Sequence, residues 1–479
     1  MRTFVAATLA LLLTACPTQS KYSGPPIEQL YYPTGLVHVD RPGLTEGVLF
    51  VANANFDKRY ATGSVVGFKL DDLGLPPFGS ADAPPQLNEL KIQSDAVVQV
   101  ASFTGEMAAL MLRDDALRLF VPSRSEGNMF QAIDVTFAAD GRPSLSCMLP
   151  PDAPADSSRT DCLATAPSLT RYEFDEGGVP RAPVPFGVAT RERRCSASSD
   201  CGAGRSCDLG VCRSANGDVF GDVWVTHLSQ ADSPLATGQN LRAYAVRMDS
   251  DRLALSNAAN ENFIDLGPGA TNSVALGKRW AYFSGRTQST PRLMRLVERT
   301  GVVWATGIEE QYRVLDARGV ALASDEKRLY LVGRVPDSLL VLSIDDATSA
   351  GPLLRVARAV SLPDGATEVR TIPRPGRSDL VAVTCSGGGV VVLYDDDVGD
   401  VVAQVQGVGL QPFGLAVARR GQGARLFVSN FSDGRVTIID IADLDRPQEA
   451  RIAGYLGLNQ LCLTRGASTP GCQTSGVTQ

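Results

Sequence analysis

Histidine is nearly absent from this chain, with two residues among 479, at positions 38 and 227. Because imidazole is the commonest metal ligand among side chains and a frequent general base, this scarcity excludes a histidine-rich metal centre. Neither histidine is accompanied by a G-x-S-x-G nucleophile motif, so a serine-hydrolase triad is not supported. We therefore interpret His38 and His227 as structural residues of predicted strands.

Basic residues are also scarce relative to acidic ones. The chain has 45 Lys and Arg against 52 Asp and Glu, a formal net charge of −7, and no basic block, which argues against a nucleic-acid partner. It has no phosphate-binding G-x-x-x-x-G-K-[ST] loop, no G-x-G-x-x-G after a strand and no C-x-x-C-H. We predict no cofactor. Beyond residue 16 no uncharged apolar run is long enough for a membrane span.

The first 16 residues combine a positive start at Arg2, a ten-residue apolar run from Phe4 to Leu13, and the sequence Leu13-Thr14-Ala15-Cys16. The run is shorter than the roughly 20 residues that a spanning helix needs. This segment resembles the signal peptide and lipobox of bacterial lipoproteins. The resemblance implies cleavage after residue 15 and a diacylglyceryl group on the Cys16 sulfur. An ordinary secretory signal stays open as the alternative, although the bulky Leu13 disfavours it.

An acylated Cys16 would anchor the protein in the bacterial cell envelope. The resemblance to bacterial lipoproteins implies that an Asp directly after the acylated cysteine would favour retention in the inner membrane. Pro17 occupies this position, so the outer membrane is favoured, and the leaflet stays undecided. Residues 16–31 are polar and proline-rich and are predicted to be a tether spanning about 20 Å. The expected partners are the membrane, through the lipid, and other envelope proteins.

Nine cysteines remain after Cys16, and their positions suggest disulfides of an oxidising compartment. Cys385 lies in an apolar run and is predicted to be a buried, inert thiol. The other eight fall into three groups: Cys147 with Cys162, the cluster Cys195, Cys201, Cys207 and Cys212, and Cys462 with Cys472.

The cluster has the spacing C-x5-C-x5-C-x4-C, which lacks the C-x2-4-C and histidine pattern of structural zinc sites. It is similar to small disulfide knots inserted in secreted surface proteins, and we expect the pairs Cys195–Cys207 and Cys201–Cys212. No metal ligand is assigned.

A short apolar strand followed by a polar turn and a second strand recurs seven times. The first strands are 48–53, 117–121, 222–226, 280–284, 328–332, 380–384 and 425–430, and their partners are 64–70, 129–135, 242–246, 292–296, 338–344, 389–394 and 435–441. From Tyr282 on, equivalent positions lie 48, 52 and 45 residues apart, near the period of a four-stranded propeller blade. The wider early gaps are interpreted as insertions that carry cysteines.

The strand before some pairs shares the pattern x-Pro-x-Gly-apolar-apolar, at 32–37, 184–189 and 411–416. Proline is acceptable only at a strand start, and we expect the glycine to let an aromatic neighbour approach the backbone. Ring closure is predicted to pair a strand near 32–39 with those near 435–441.

The segments Phe50-Val51-Ala52-Asn53 and Phe427-Val428-Ser429-Asn430, each leading through a turn to a second strand, resemble the YVTN family of β-propeller repeats. The resemblance covers about a third of residues 32–445. It implies an all-β fold, a β-propeller of seven four-stranded blades with disulfide-bearing loop insertions; six or eight blades and a β-sandwich array stay open. The domains are a signal peptide (1–15), a lipidated tether (16–31), the propeller (32–445, insertions at about 147–162 and 190–215) and a tail with a disulfide loop (446–479).

Candidate chemistry is sparse. Asp395, Asp396, Asp397 and Asp400 crowd one loop and could bind calcium, but their spacing matches no EF-hand. Asn53 and Asn430 stand where a lactonase-type calcium centre would place acidic ligands, and we expect them to bond backbone within their turns. We expect the tryptophans at 224, 280 and 304 to pack between blades; a sugar-binding face is the alternative. No catalytic residue is assigned.

These observations predict a non-catalytic, lipid-anchored scaffold that binds envelope proteins, similar in architecture to propeller lipoproteins of outer-membrane assembly. The insertions at 147–162 and 195–212 are its candidate contact surfaces, because stapled loops lose little entropy on binding. The alternative from another class is a propeller hydrolase, lactonase-like or glycan-active, with a divalent cation in the channel. Capture of a glycan or peptide is a third.

Overall fold

The computed structural model describes residues 24–125, 129–149, 157–163, 166, 184–228, 242–251, 263–268, 270–285, 292–295, 302–304, 315–345 and 352–459. Within these ranges the protein is all-β and forms a β-propeller, as predicted. Its strands form seven sheets of four or five strands, which we number 1 to 7 in chain order, and one two-stranded hairpin. No helix among these residues is long and apolar enough to cross a membrane.

Sheets 1 to 4 each contain four antiparallel strands in chain order. Sheet 1 contains Pro33–Val39, Val48–Asn53, Gly63–Lys69 and Val97–Val100. Sheet 2 contains Ala108–Arg113, Ala116–Pro122, Phe130–Phe137 and Pro143–Cys147. Sheet 3 contains Val184–Glu192, Gly221–Leu228, Arg242–Asp249 and Phe263–Pro268. Sheet 4 contains Thr271–Leu276, Trp280–Gly285, Arg292–Arg295 and Val302–Trp304.

Sheets 5 to 7 follow the same order, and sheet 7 gains a fifth strand from elsewhere in the chain. Sheet 5 contains Leu315–Leu322, Arg328–Val335, Asp337–Asp345 and Leu353–Ser361. Sheet 6 contains Ala366–Ile372, Leu380–Cys385, Val390–Asp395 and Asp400–Val405. Sheet 7 contains Pro412–Arg420, Gly423–Asn430, Arg435–Ile441 and Arg451–Leu456, with Gln86–Leu87 as the added strand. Single 3-10 turns occur at Leu70–Leu73, Ser94–Ala96, Ser198–Cys201 and Pro447–Glu449.

The seven recurring strand pairs predicted from the sequence are the second and third strands of the seven sheets. The first strand of each sheet contacts the first strand of the next, and that of sheet 7 returns to sheet 1. These strands all begin on one face of the propeller, which we call the start face, and run to the opposite far face. Apolar residues of the first three strands fill the space between neighbouring sheets.

A β-bulge near the beginning of the first strand recurs in six of the seven sheets. In sheets 3 and 7 it contains the glycine of the x-Pro-x-Gly pattern, Gly187 and Gly414. A Cβ on Gly187 would collide with the backbone oxygen of Asn272 in sheet 4, and one on Gly414 with that of Thr34 in sheet 1. The expected aromatic neighbour is therefore wrong here: glycine admits the backbone of the adjacent sheet.

Side-chain hydroxyls of the second strands connect these bulges from sheet to sheet. Ser429 Oγ accepts a hydrogen bond from the Gly414 amide at 2.8 Å and donates to the Thr34 carbonyl at 2.9 Å. Two threonines make the same bridge, Thr226 between Gly187 and Asn272 and Thr384 between Glu368 and Phe413. Each bridge satisfies an amide that the bulge would otherwise leave unpaired.

Ring closure differs from the prediction. Among the described residues, the strand Pro33–Val39 pairs only with Val48–Asn53 and packs beside Pro412–Arg420, rather than pairing with the strand at 435–441. Residues 70–93, which precede the last strand of sheet 1, instead cross to the outer edge of sheet 7. There Gln86–Leu87 pairs in parallel with Arg451–Leu456. That outer strand lies beyond residue 445, inside the segment that the sequence assigns to the tail.

Three disulfides occur in the described residues, and they join the pairs expected from the sequence: Cys147–Cys162, Cys195–Cys207 and Cys201–Cys212. Cys385 is a buried free thiol, and burial raises its pKa to about 12, in agreement with the predicted inert state. Cys16, Cys462 and Cys472 lie outside the described residues, as does the tether up to residue 23.

Candidate functional site

A disulfide-stapled module projects from the far face between the first two strands of sheet 3. It spans residues 193–220 and contains the hairpin of Ser206–Asp208 and Val211–Arg213. Its core is Phe220, packed against the paired cysteines. The guanidinium groups of Arg193 and Arg205 lie over the Phe220 ring at 4.4 and 3.7 Å from its centroid.

Ion pairs fix this module to sheet 3. Arg205 contacts Asp249, the last residue of the third strand of the sheet, at 3.0 Å, and Asp251, two residues after it, at 2.7 Å. Arg193 pairs with the buried Asp222. Leu209, at the tip of the hairpin, is 91% exposed. The module is therefore a projection closed by two disulfides and fixed by ion pairs, with an apolar side chain at its tip.

The start face carries a connected cluster of aromatic rings, which we call the aromatic cluster. Its members are Tyr32, Phe56, Phe103, Phe186, Phe413 and Phe431. Phe56 is the most exposed of them, at 48%, and its ring centroid lies 5.2 Å from those of both Phe103 and Phe431. Arg124 and Lys58 lie over the rings of Phe186 and Phe103.

Two buried carboxylates approach the propeller axis from sheets 2 and 6. Glu106 accepts a hydrogen bond from Ser273 Oγ of sheet 4 at 3.4 Å, and Glu368 forms an ion pair with Arg370. Contacts between non-adjacent sheets are possible only near the axis. We call this group the axial cluster.

Burial raises the pKa of both carboxyl groups, that of Glu368 to about 8, while Arg370 lowers both pKa values. Each side chain also accepts a backbone amide hydrogen bond from the next sheet, Glu106 from Val188 and Glu368 from Leu415. Glu368 stands at the bulge position that is Gly187 in sheet 3. An acidic residue at a position where the repeat elsewhere has glycine is visible in the sequence, but the axial cluster was not predicted from it.

The donor set does not fit the calcium ion of a lactonase-type centre. The axial cluster supplies two carboxylates, and a guanidinium occupies one of them. Asn53 and Asn430, the residues at the corresponding strand ends, instead bond the hydroxyls of Ser64 at 3.1 Å and Thr437 at 2.7 Å on their third strands.

The acidic loop of sheet 6 is an arginine network rather than a set of open oxygen ligands. Arg374 donates to both oxygens of Asp395 at 2.8 and 2.6 Å, and Arg377 pairs with Asp397 at 2.9 Å. Asp396 pairs with Arg328 of sheet 5 at 3.3 Å. The Asp396–Arg328 pair joins sheets 5 and 6 at the far face.

The histidines and tryptophans occupy the structural positions expected of them where they are described. His38 bonds the Glu46 carbonyl oxygen at 2.8 Å and stacks on Phe427. Burial lowers the pKa of His227 to about 3, so its ring is neutral at neutral pH. Trp224 packs on Phe283 between sheets 3 and 4.

Neither a protein-family profile nor a curated protein sequence matches this chain. Solved structures of β-propeller proteins are similar in fold. Hydrazine synthase from Kuenenia stuttgartiensis matches over 88% of this chain and 98% of its own, with TM-score 0.45 and 11% identity. AztD from Citrobacter koseri matches over 87% and 88%, with TM-score 0.39 and 10% identity. A protein of Bacteroides uniformis provisionally assigned as a 6-phosphogluconolactonase matches over 76% and 80%, with TM-score 0.41 and 11% identity.

Proposed function

We propose that this chain is a lipid-anchored protein-interaction module of the bacterial cell envelope, with Cys16 as the acylated residue. The observation that carries the interaction role is the stapled module, which holds Leu209 91% exposed at its tip. An apolar side chain on a hairpin closed by two disulfides is ordered before binding, so little entropy is lost when a partner covers it. Disulfides also require the oxidising side of the membrane.

We further propose that the seven sheets are the seven blades of one closed ring. The contacts between successive first strands, including that between sheets 7 and 1, support this number. The repeated hydroxyl bridges support it too, since one of them, Ser429, crosses the junction between the last sheet and the first.

Site-specific photocrosslinking in intact cells tests the interaction role. A photoreactive residue at position 209 should form a discrete covalent adduct with one partner protein. Deleting the gene for the protein identified in that adduct should then abolish the adduct. Val398, 59% exposed in a turn on the same face, provides the matched control position. Equal adduct patterns at 209 and 398, or none at 209, would contradict the proposal.

A hydrolase is the second candidate, and the axial cluster is the observation that favours it. A carboxyl group with a pKa of about 8, as at Glu368, holds its proton near neutral pH and could act as a general acid. Purified protein that opens lactones or cleaves glycans, with the activity lost in Glu368→Gln, would support this function over the scaffold.

A further inference from the structure

Exposed apolar side chains occur on both faces of the propeller. Of the seven large ones in the described ranges, Ile27, Phe56, Val335 and Leu410 lie on the start face, the last 52% exposed, and Met111, Leu209 and Val398 lie on the far face. Leu410 adjoins the aromatic cluster, because its carbonyl accepts the Ser432 amide next to Phe431. Single exposed apolar residues are ordinary, but Phe56 and Leu410 lie together beside packed aromatic rings, an arrangement typical of a contact surface.

The N-terminal segment reaches the propeller on this same face. Leu30 packs against Gly457 at the end of sheet 7, and the Tyr31 amide bonds Asn53 Oδ1 at 3.1 Å. Only residues 17–23 separate Cys16 from Gly24, the first described residue. Even fully extended, that connection spans about 28 Å. A lipid on Cys16 would therefore keep the start face close to the bilayer.

The charges beside the aromatic cluster suit a lipid surface. Lys58 lies 5.3 Å from the Phe103 centroid and Arg124 lies 5.2 Å from that of Phe186. Asp57 is the nearby carboxylate, and it pairs with Arg59 at 3.0 Å. Cations beside an aromatic surface match anionic headgroups around an apolar interior.

We infer that the start face rests in the membrane interface, with Phe56 and Leu410 inserted among the lipid chains. This inference rests on the proposed lipid anchor at Cys16. The packed rings hold Phe56 in place, so insertion orders no flexible side chain. The stapled module, on the far face, then points away from the bilayer toward a partner.

Quenching by lipids with brominated acyl chains tests this orientation. Full-length acylated Phe56→Trp and Leu209→Trp variants are reconstituted in phosphatidylethanolamine and phosphatidylglycerol vesicles, and the parent signal is subtracted. We expect quenching at least about twofold greater for Phe56→Trp, because its indole reaches the acyl region. Leu410→Trp repeats the test should Phe56→Trp not fold.

The outcomes separate the inference from the proposed function. If the acylated protein does not float with vesicles, the anchor itself fails. If it floats and neither start-face variant is quenched more than Leu209→Trp, the anchor stands and the orientation is wrong. That second result would place the aromatic cluster outside the acyl region of the bilayer.

Discussion

Arg425 shows how one buried charge joins the two ends of the chain. Its guanidinium contacts Asp440 of its own sheet at 2.7 Å and Glu46 of sheet 1 at 2.7 Å, and it donates to the Pro76 carbonyl at 3.2 Å. The side chain is fully buried. Removing one partner of such a group leaves the other charges buried without compensation.

We therefore expect Arg425→Ala to lower the free energy of unfolding by about 3–5 kcal/mol in urea titrations. Arg446→Ala is the matched control, since Arg446 pairs with Asp443 and Glu449 on the surface. The control should leave the urea midpoint unchanged. Equal effects of the two substitutions would show that the buried network does not hold the closure.

The raised pKa of Glu368 predicts how the stability of the protein changes with pH. Its pKa is raised from 4.5 to about 8, so the folded protein binds the proton more tightly than the unfolded chain. Glu368 therefore destabilises the folded protein least below pH 4.5, and the free energy of unfolding falls as the pH rises through 8. Glu368→Gln removes the titration.

Melting temperatures of the wild type and Glu368→Gln, measured across this range, check the sign. The melting temperature of Glu368→Gln should rise relative to that of the wild type as the pH rises, and the difference should level off above pH 8. The comparison cancels contributions from groups that do not interact with Glu368, such as His227. A difference that does not change with pH would contradict the raised pKa.

At the scale of the element, hairpins were predictable and bulges were not. The strand pairs follow from alternating apolar residues and polar turns, which local chemistry determines. The bulges depend on the approach of a neighbouring sheet, so sequences as different as those around Gly187, Ser273 and Glu368 adopt them. The axial cluster was missed for the same reason, because Glu106 and Ser273 meet across the ring.

The bridging hydroxyls allow this element to be tested. Ser429→Ala should lower the free energy of unfolding by about 1–3 kcal/mol, because it leaves the Gly414 amide and the Thr34 carbonyl without this partner. Ser432→Ala, which removes an exposed bond to Gln411, is the control and should have a much smaller effect in the same urea titration. Comparable losses in the two variants would show that the bridge stabilises the fold no more than an exposed hydrogen bond does.

At the scale of the molecule, the prediction of a propeller was confirmed, but the predicted strand pairing at its closure was wrong. Residues 70–93 carry no strong periodicity, yet they tie sheet 1 to sheet 7 through Gln86, whose side chain bonds Arg435 and the Gly457 carbonyl. A loop that stabilises the fold through distant contacts leaves no local signal.

The two faces of the propeller carry different features. The chain begins its path through the propeller beside the aromatic cluster, and the stapled module with Leu209 stands on the opposite face. If the proposed lipid anchor at Cys16 is correct, the first face lies near the lipid and Leu209 on the second face points away from it.

Acylation of Cys16 is the central claim, and metabolic labelling with palmitate in a bacterial host tests it most directly. We predict that label enters the wild-type chain in the membrane fraction and is absent from Cys16→Ala. Intact mass should then give a chain that begins at Cys16 and carries the lipid. An unlabelled wild-type chain that retains Met1 and a free Cys16 thiol in the soluble fraction would contradict the account.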